Sequence, residues 1–206
     1  MRRYLLLFTI PLFVVLALSP AQSAELTYTL TGVVTSPDGT YEPDIALGDD
    51  VVVIMVVEDS TPDANTGNPD AGFFQGSILS TSITAGTWSA DNRGIGFIST
   101  VNDTPGTSGL QDEASTRINL TGPAIITTPR NLSMSLIDPT ATALIGDEFP
   151  DLTAFPIGRL TGTVSFNVGG PRLEFDITGI SVVPEPSTAL LMALGLGALA
   201  SRRRTA

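Results

Sequence analysis

Apolar and polar residues alternate along most of the chain between residues 25 and 183. In segment 26–31, leucine and tyrosine alternate with threonine, which is typical of a strand with one buried face. Segment 51–57 is instead a continuous run of valine, isoleucine and methionine, which predicts a central strand covered on both faces. Similar patterns predict seven further strands, at residues 72–79, 82–89, 95–101, 116–120, 131–137, 160–168 and 172–181.

Short segments rich in glycine, proline, asparagine and aspartate separate these strands. Such turn chemistry stands at residues 36–39, 91–94, 103–106 and 169–171, where glycine permits positive φ angles and proline presets φ. Gly169 and Gly170 lie between two alternating runs and predict a β-hairpin. No helical periodicity is sustained here. We therefore predict an all-β fold, an antiparallel β-sandwich of about nine strands, with a jelly roll as one version.

Two longer segments between the predicted strands are irregular and acidic. Residues 58–72 are rich in aspartate, asparagine and proline. Residues 138–155 mix acidic residues with apolar ones, and we expect this segment to fold its aromatic side chains back onto the core. The apolar residues of the segment are Leu144, Ile145, Phe149 and Phe155, of which the two phenylalanines are the aromatic ones.

The first 24 residues have the three parts of a secretory signal peptide. Arg2 and Arg3 precede an apolar stretch at residues 4–18, and small and polar residues follow at 19–24. Cleavage after Ala21 and cleavage after Ala24 both remain open, and the alternative is an uncleaved N-terminal anchor.

The C-terminus carries a second segment directed to the membrane, at residues 184–206. Pro184, Glu185 and Pro186 precede an uncharged run at 188–200, and three arginines then close it: Arg202, Arg203 and Arg204. As a helix this run is about 20 Å long, against a hydrocarbon core of about 30 Å, so it would span only with local thinning. A tail helix packed on the domain is the alternative. Arginines at the outer ends of both apolar segments predict cytoplasmic termini and an exported body at residues 25–183.

These C-terminal features together resemble the PEP-CTERM sorting signal of Gram-negative bacteria. The matching parts are Pro184-Glu185-Pro186, the apolar segment 189–200 and the arginines at 202–204. The resemblance implies recognition near this motif by an exosortase, a membrane-embedded, transpeptidase-like cysteine enzyme. It also implies an association with exopolysaccharide-producing bacteria and their extracellular matrix.

Composition narrows what the body can do. Five of the ten arginines and one of the 21 acidic residues lie in the terminal segments, which leaves 159 residues with net charge −15. This charge disfavours nucleic acid and anionic lipid surfaces, and it favours solubility, divalent cations or basic partners. The chain has no cysteine, histidine or lysine. Disulfides, the commonest general base and lysine chemistry are therefore excluded.

Residues 63–70 form a candidate calcium loop. Asp63, Asn65 and Asp70 place oxygen atoms at intervals that suit calcium. The loop departs from the EF-hand pattern, because Gly67, Asn68 and Phe74 stand where a ligand, a glycine and the bidentate glutamate belong. The alternative is a turn-rich loop stabilised by aspartate and asparagine side chains.

Trp88, the sole tryptophan, is the candidate residue for stacking on a sugar, and a core role is its alternative.

No acid pair has a catalytic signature. Asp112-Glu113 and Asp147-Glu148 would each point to opposite faces if they lie on strands. Serine nucleophiles have no histidine partner, and no Gly-x-Ser-x-Gly elbow is present.

We therefore expect a non-enzymatic exported protein without a cofactor. It would associate with the inner membrane before processing and then reside in the cell envelope or extracellular matrix, in a structural or adhesive role with exopolysaccharide. A carbohydrate-binding module, with or without calcium, is the alternative, and a carboxylate glycoside hydrolase is the remote one.

Overall fold

Nine strands and one short 3-10 helix make up the described part of the protein. The computed structural model describes residues 25–37, 44–92, 95–106, 109–121, 130–166 and 172–184. The strands are β1 (Glu25–Pro37), β2 (Asp50–Glu58), β3 (Ala71–Ala85), β4 (Trp88–Asn92), β5 (Gly96–Gly106), β6 (Gly109–Thr121), β7 (Arg130–Asp138), β8 (Leu160–Phe166) and β9 (Arg172–Pro184). The 3-10 helix is Leu152–Ala154, between β7 and β8.

The strands close into one antiparallel barrel. Strands that follow one another in sequence pair with each other, except β4 and β5, and β9 returns to pair with β1. β4 and β5 both pair with β3 on one side and with β6 on the other, so these two strands lie end to end and occupy a single position in the barrel. The result is an eight-stranded, up-and-down barrel with one extra strand. The predicted two-sheet sandwich is not confirmed, because the β1–β9 pairing joins what would otherwise be free edges.

Inward-facing side chains fill the barrel, as expected for eight strands. The alternation predicted for β1 is confirmed, since Tyr28, Leu30 and Val34 are all buried. The prediction for β2 is wrong in one respect. Val51, Val53, Met55 and Val57 are buried, but Ile54 on the outer face is 42 % exposed. A closed barrel of one sheet has only one interior, so the outer face of β2 has no second layer to cover it.

β3 differs most from its prediction. Residues 72–79 and 82–89 were expected to form two strands, but Ala71–Ala85 is continuous and the chain turns at Gly86. Gly76, with φ of 85°, lies in a β-bulge at which the pairing with β5 shifts between Gln75 and Ile78. The bulge changes which residues face inward, so a strand with two alternation phases resembles two strands in the sequence.

The turn predicted at residues 103–106 lies within β5. Asp103 has φ of 54° and lies in a bulge, and β5 continues to Gly106, which pairs with Gly109, the first residue of β6. β6 consequently begins well before the predicted residue 116. The strands predicted at 95–101 and 131–137 are confirmed within β5 and β7.

β8 and β9 form the predicted antiparallel hairpin, although Gly169 and Gly170 lie outside the described residues. Gly162 of β8 is opposite Phe175 of β9, and a Cβ atom on Gly162 would collide with the Phe175 ring. The glycine therefore lets the aromatic ring lie flat on the backbone of the neighbouring strand.

The barrel has a lower end, defined as the end at which β1 begins and β9 ends. The segments between β2 and β3 and between β7 and β8 also lie there. In the latter, Leu144, Leu152 and Phe155 are buried and Phe149 packs against the core. This confirms that the aromatic side chains of the segment fold back onto the core, whereas Ile145 is 82 % exposed.

Across the described ranges, no helix combines the length and the apolarity that crossing a membrane requires. The predicted signal peptide at 1–24 and the apolar run at 188–200 lie outside those ranges.

Candidate functional site

The sorting motif begins where the barrel ends. Pro184 is the last residue of β9, and its Cα partner is Leu26 on β1. Glu185, Pro186 and the arginines Arg202, Arg203 and Arg204 lie outside the described residues. The pairing places the first and last residues of the barrel side by side at the lower end. β9 ends at Pro184, so a chain ending there would retain all nine described strands.

The candidate calcium residues lie in the acidic segment between β2 and β3. Oδ1 of Asp63 accepts hydrogen bonds from the backbone N–H groups of Asn65 and Phe73, at 2.8 and 2.6 Å. The Asn65 side chain donates to the carbonyl of Ala71, and the Asp70 N–H donates to the Asn68 side chain. These are the turn-stabilising bonds of the alternative interpretation. Asp63 Oδ2 is buried without a hydrogen-bond partner.

Metal binding in this loop stays a prediction. Among the described residues, no group of three or more acidic, histidine or cysteine side chains is arranged to hold a metal ion. Melting temperatures measured with calcium and with a chelator would test the loop directly.

Trp88 is 3 % exposed and belongs to the hydrophobic core. It is the first residue of β4, and it pairs with Ala85 across the turn at Gly86. Its placement agrees with the core role. A sugar-stacking role would require a surface that this conformation does not offer.

Asp112 and Glu113 point to opposite faces of β6, as predicted, with Asp112 fully buried and Glu113 half-buried. Asp147 and Glu148 lie instead in the irregular segment between β7 and β8. On the neighbouring strand β7, the residue paired with Asp112 is Asp138, which is also buried. Sequence reasoning missed this pair. The signal in the sequence is that Asp112 and Asp138 each occupy an inward-facing position, close to the lower end of β6 and of β7.

Both buried carboxylates are held by hydrogen-bond donors. Asp112 accepts from the N–H groups of Asp103 at 3.1 Å and Leu144 at 2.9 Å. Asp138 accepts from the N–H and hydroxyl groups of both Thr140 and Thr142. Burial raises the pKa of Asp138, but the four hydrogen bonds outweigh it and lower the pKa to about 2. The hydrogen bonds of this pair to Thr140, Thr142 and Leu144 anchor the segment that follows β7.

A depression of about 440 Å³ opens at the lower end, between β1, β9 and the segment before β8. Leu26, Tyr28, Phe149 and Val182 contribute its apolar lining, and the carboxylates are Asp59, Glu148 and Asp151. Burial, followed by the charge of Asp151 and then that of Asp59, raises the pKa of Tyr28 to about 12 against an opposing hydrogen bond from the Leu152 backbone.

A second depression, of about 240 Å³, lies on the outer face of β5, β6, β7 and β8. We call it the hydroxyl groove. Its outward-facing residues are Phe97, Ser115, Arg117, Ser133, Ser135, Thr161 and Thr163. The strand pairing aligns these residues, together with Ser99 beside the groove, in two rows that cross the strands. One row is Phe97, Arg117, Ser133 and Thr163, and the other is Ser99, Ser115, Ser135 and Thr161. No sequence motif marks this groove, because its residues come from four strands.

Comparison with known proteins gives a match only for the C-terminal tail of the chain. A family model described as the PEP-CTERM protein-sorting motif matches residues 182–204. No curated protein and no solved structure matches the chain. The matched range begins in β9 and includes the Pro-Glu-Pro sequence, the apolar run and the three arginines, as the resemblance had indicated. The chain therefore carries a PEP-CTERM protein-sorting motif, which marks it as an exported protein sorted by an exosortase.

Proposed function

We propose that this protein is a non-enzymatic component of the cell envelope or of an extracellular polysaccharide matrix. The acidic barrel is exported under an N-terminal signal peptide and is held at the inner membrane by residues 184–206 until an exosortase processes the tail. The observation that carries the proposal is the sorting motif at residues 182–204. The N-terminal signal pattern at residues 1–24 supports it.

The barrel is compatible with processing at both ends. Leu26 pairs with Pro184, so β1 begins and β9 ends at the same end of the barrel. Cleavage after Ala24 and at the Pro-Glu-Pro sequence would leave every barrel strand intact. The mature domain would therefore keep its fold after both signals are removed.

The non-enzymatic part of the proposal rests on residue chemistry. The chain has no histidine, lysine or cysteine, so acid–base or nucleophilic chemistry would depend mainly on its carboxylates. The two buried carboxylates, Asp112 and Asp138, are engaged by donors of neighbouring segments. We assign them to holding the β7–β8 segment in place.

Mass spectrometry of the protein recovered from its native host tests the sorting claim. We expect the wild-type chain to lack the segment that follows the Pro-Glu-Pro sequence, and Glu185→Ala to retain it in full. Glu174→Ala, on the exposed face of β9, is the matched control and should be processed like the wild type. An intact C-terminus in the wild-type protein would overturn the proposal.

A further inference from the structure

We propose that the hydroxyl groove binds a neutral glycan chain that runs across β5 to β8. Phe97 would stack on one sugar ring, and Arg117 and the serine and threonine side chains would bond to sugar hydroxyls. The inference deepens the matrix role proposed above, because it names the class of polymer that the barrel would contact and the face that would contact it.

The arrangement of the groove is suited to an extended ligand. Register places Phe97 opposite Arg117, Arg117 opposite Ser133, and Ser133 opposite Thr163. This row is perpendicular to the strands and continues to Glu174 on β9. Neighbouring strands are about 4.8 Å apart, so the part of the row that lies in the groove, from β5 to β8, is about 14 Å long. Several sugar rings in a line would fit along it.

The chemistry of the side chains suits hydroxyl groups. A sugar hydroxyl both donates and accepts, so a glycan site needs groups of both kinds. Arg117 supplies donors, Glu174 supplies acceptors, and the serines and threonines supply both. Short hydroxyl side chains also lose little conformational entropy when a ligand orders them.

One aromatic ring at the β5 end provides an apolar contact. Phe97 is half-buried on the outer face, and its ring centroid is 5.0 Å from that of Phe73 on β3. The neighbouring ring limits the movement of Phe97, so little freedom remains to be lost when a sugar packs against it.

Charge favours a neutral ligand over an anionic one. Thr161 and Thr163 are opposite Asp176 and Glu174 on β9, and both of these acidic residues are exposed. Arg172, also exposed on β9, partly offsets these two acidic residues, but the body as a whole has a net charge of −15. A polyuronate or a nucleic acid would be repelled here. The rows of hydroxyl groups are also too polar for a lipid or an apolar protein surface.

The test is calorimetric titration of the full-length chain in a detergent without a sugar headgroup. The probes are cellohexaose and laminarihexaose, with hexagalacturonate as the anionic comparison. We expect at least one neutral oligosaccharide to bind, and Phe97→Ala to weaken that binding about tenfold or more.

A matched pair of serine substitutions separates binding from folding. Ser133→Gln fills the groove without changing charge, and we expect it to weaken binding about tenfold. Ser82→Gln makes the same change at a half-buried outer position of β3, away from the groove, and should leave binding unchanged. The two variants should have the same melting temperature.

Three results would overturn the proposal: no binding of either neutral oligosaccharide, binding of hexagalacturonate alone, or equal effects of Ser133→Gln and Ser82→Gln. Binding is measured on purified chain, so its failure would leave the sorting proposal intact. Failure of tail processing would likewise leave this result unaffected.

Discussion

Two acidic segments lie at the lower end of the barrel and look alike in sequence, yet they are built differently. The β2–β3 segment, residues 59–70, is largely exposed and is organised by its own hydrogen bonds, such as that from the Asn65 N–H to Asp63. The β7–β8 segment, residues 139–159, places Leu144, Leu152 and Phe155 in the core. Acidic side chains accept backbone bonds in both segments.

The difference shows that the acidic residues shape the turns while the apolar residues decide where a segment goes. Asp63, Asp138 and Asp151 each accept the N–H of the residue two positions later, so this local bond is common to both segments. Only the β7–β8 segment has spaced apolar side chains that gain by leaving water. Burial then places the Leu144 N–H where water is absent, and Asp112 provides its acceptor.

The largest expected effect comes from the apolar anchor. Phe155→Ala should lower the free energy of unfolding by about 3–5 kcal/mol, because it removes a buried ring and leaves a cavity. Ile157→Ala, two residues away and 59 % exposed, should change it by less than about 0.5 kcal/mol. Urea denaturation of the two variants measures both values. Similar losses would show that the segment is not held by its apolar residues.

The next effect concerns the two aspartates that accept backbone bonds. Asp112→Ala removes the acceptor of the buried Leu144 N–H and of the part-buried Asp103 N–H, and it should cost about 3 kcal/mol. Asp63→Ala also removes two hydrogen bonds, but Asp63 is a half-buried residue in a largely exposed loop, so this change should cost about 1 kcal/mol. Denaturation midpoints at one pH compare them. An equal or larger cost for Asp63→Ala would reverse the distinction between the segments.

Acid should weaken the β7–β8 anchor. The folded-state pKa of Asp138 is lowered from 3.8 to about 2, so its stabilising contribution is complete above the unfolded value and is lost as pH falls through the folded value. Thermal melting in this acidic range should therefore fall more steeply with decreasing pH for the wild type than for Asp138→Asn. Parallel melting curves for the two proteins would contradict this account.

The smallest expected effect is on the pKa of Tyr28, which is influenced by one carboxylate from each segment. The pKa of Tyr28 is raised to about 12, so stability should be complete below about pH 10 and decline as pH rises through the folded value. Asp151→Asn should lower this pKa more than Asp59→Asn does, because Asp151 makes the larger contribution. Ultraviolet titration of the phenolate, with Tyr4 and Tyr41 replaced by phenylalanine, resolves the difference. A larger pKa shift with Asp59→Asn would show that the charge of the β2–β3 segment has the greater influence on Tyr28.

Local patterns predicted the strands better than they predicted strand ends and candidate sites. β1 and β7 were recognised because their alternation is uninterrupted, whereas β3 was divided because the bulge at Gly76 shifts its phase. The sequence around Trp88 is compatible with both a surface and a core position, and only the packing of the folded barrel places the side chain in the core. The hydroxyl groove left no local signal, since serine and threonine on one strand resemble any solvated face.

The sequence by itself determined the all-β class, the acidic exported body and the sorting tail, because each depends on neighbouring residues or on composition. Only the tertiary structure decided the closure of β9 on β1, the burial of Asp112 beside Asp138, and the alignment of Phe97 and Arg117 with the hydroxyl side chains of two further strands. These depend on pairing between strands far apart in sequence. A bulge of one residue can change that register without leaving a clear trace in local periodicity.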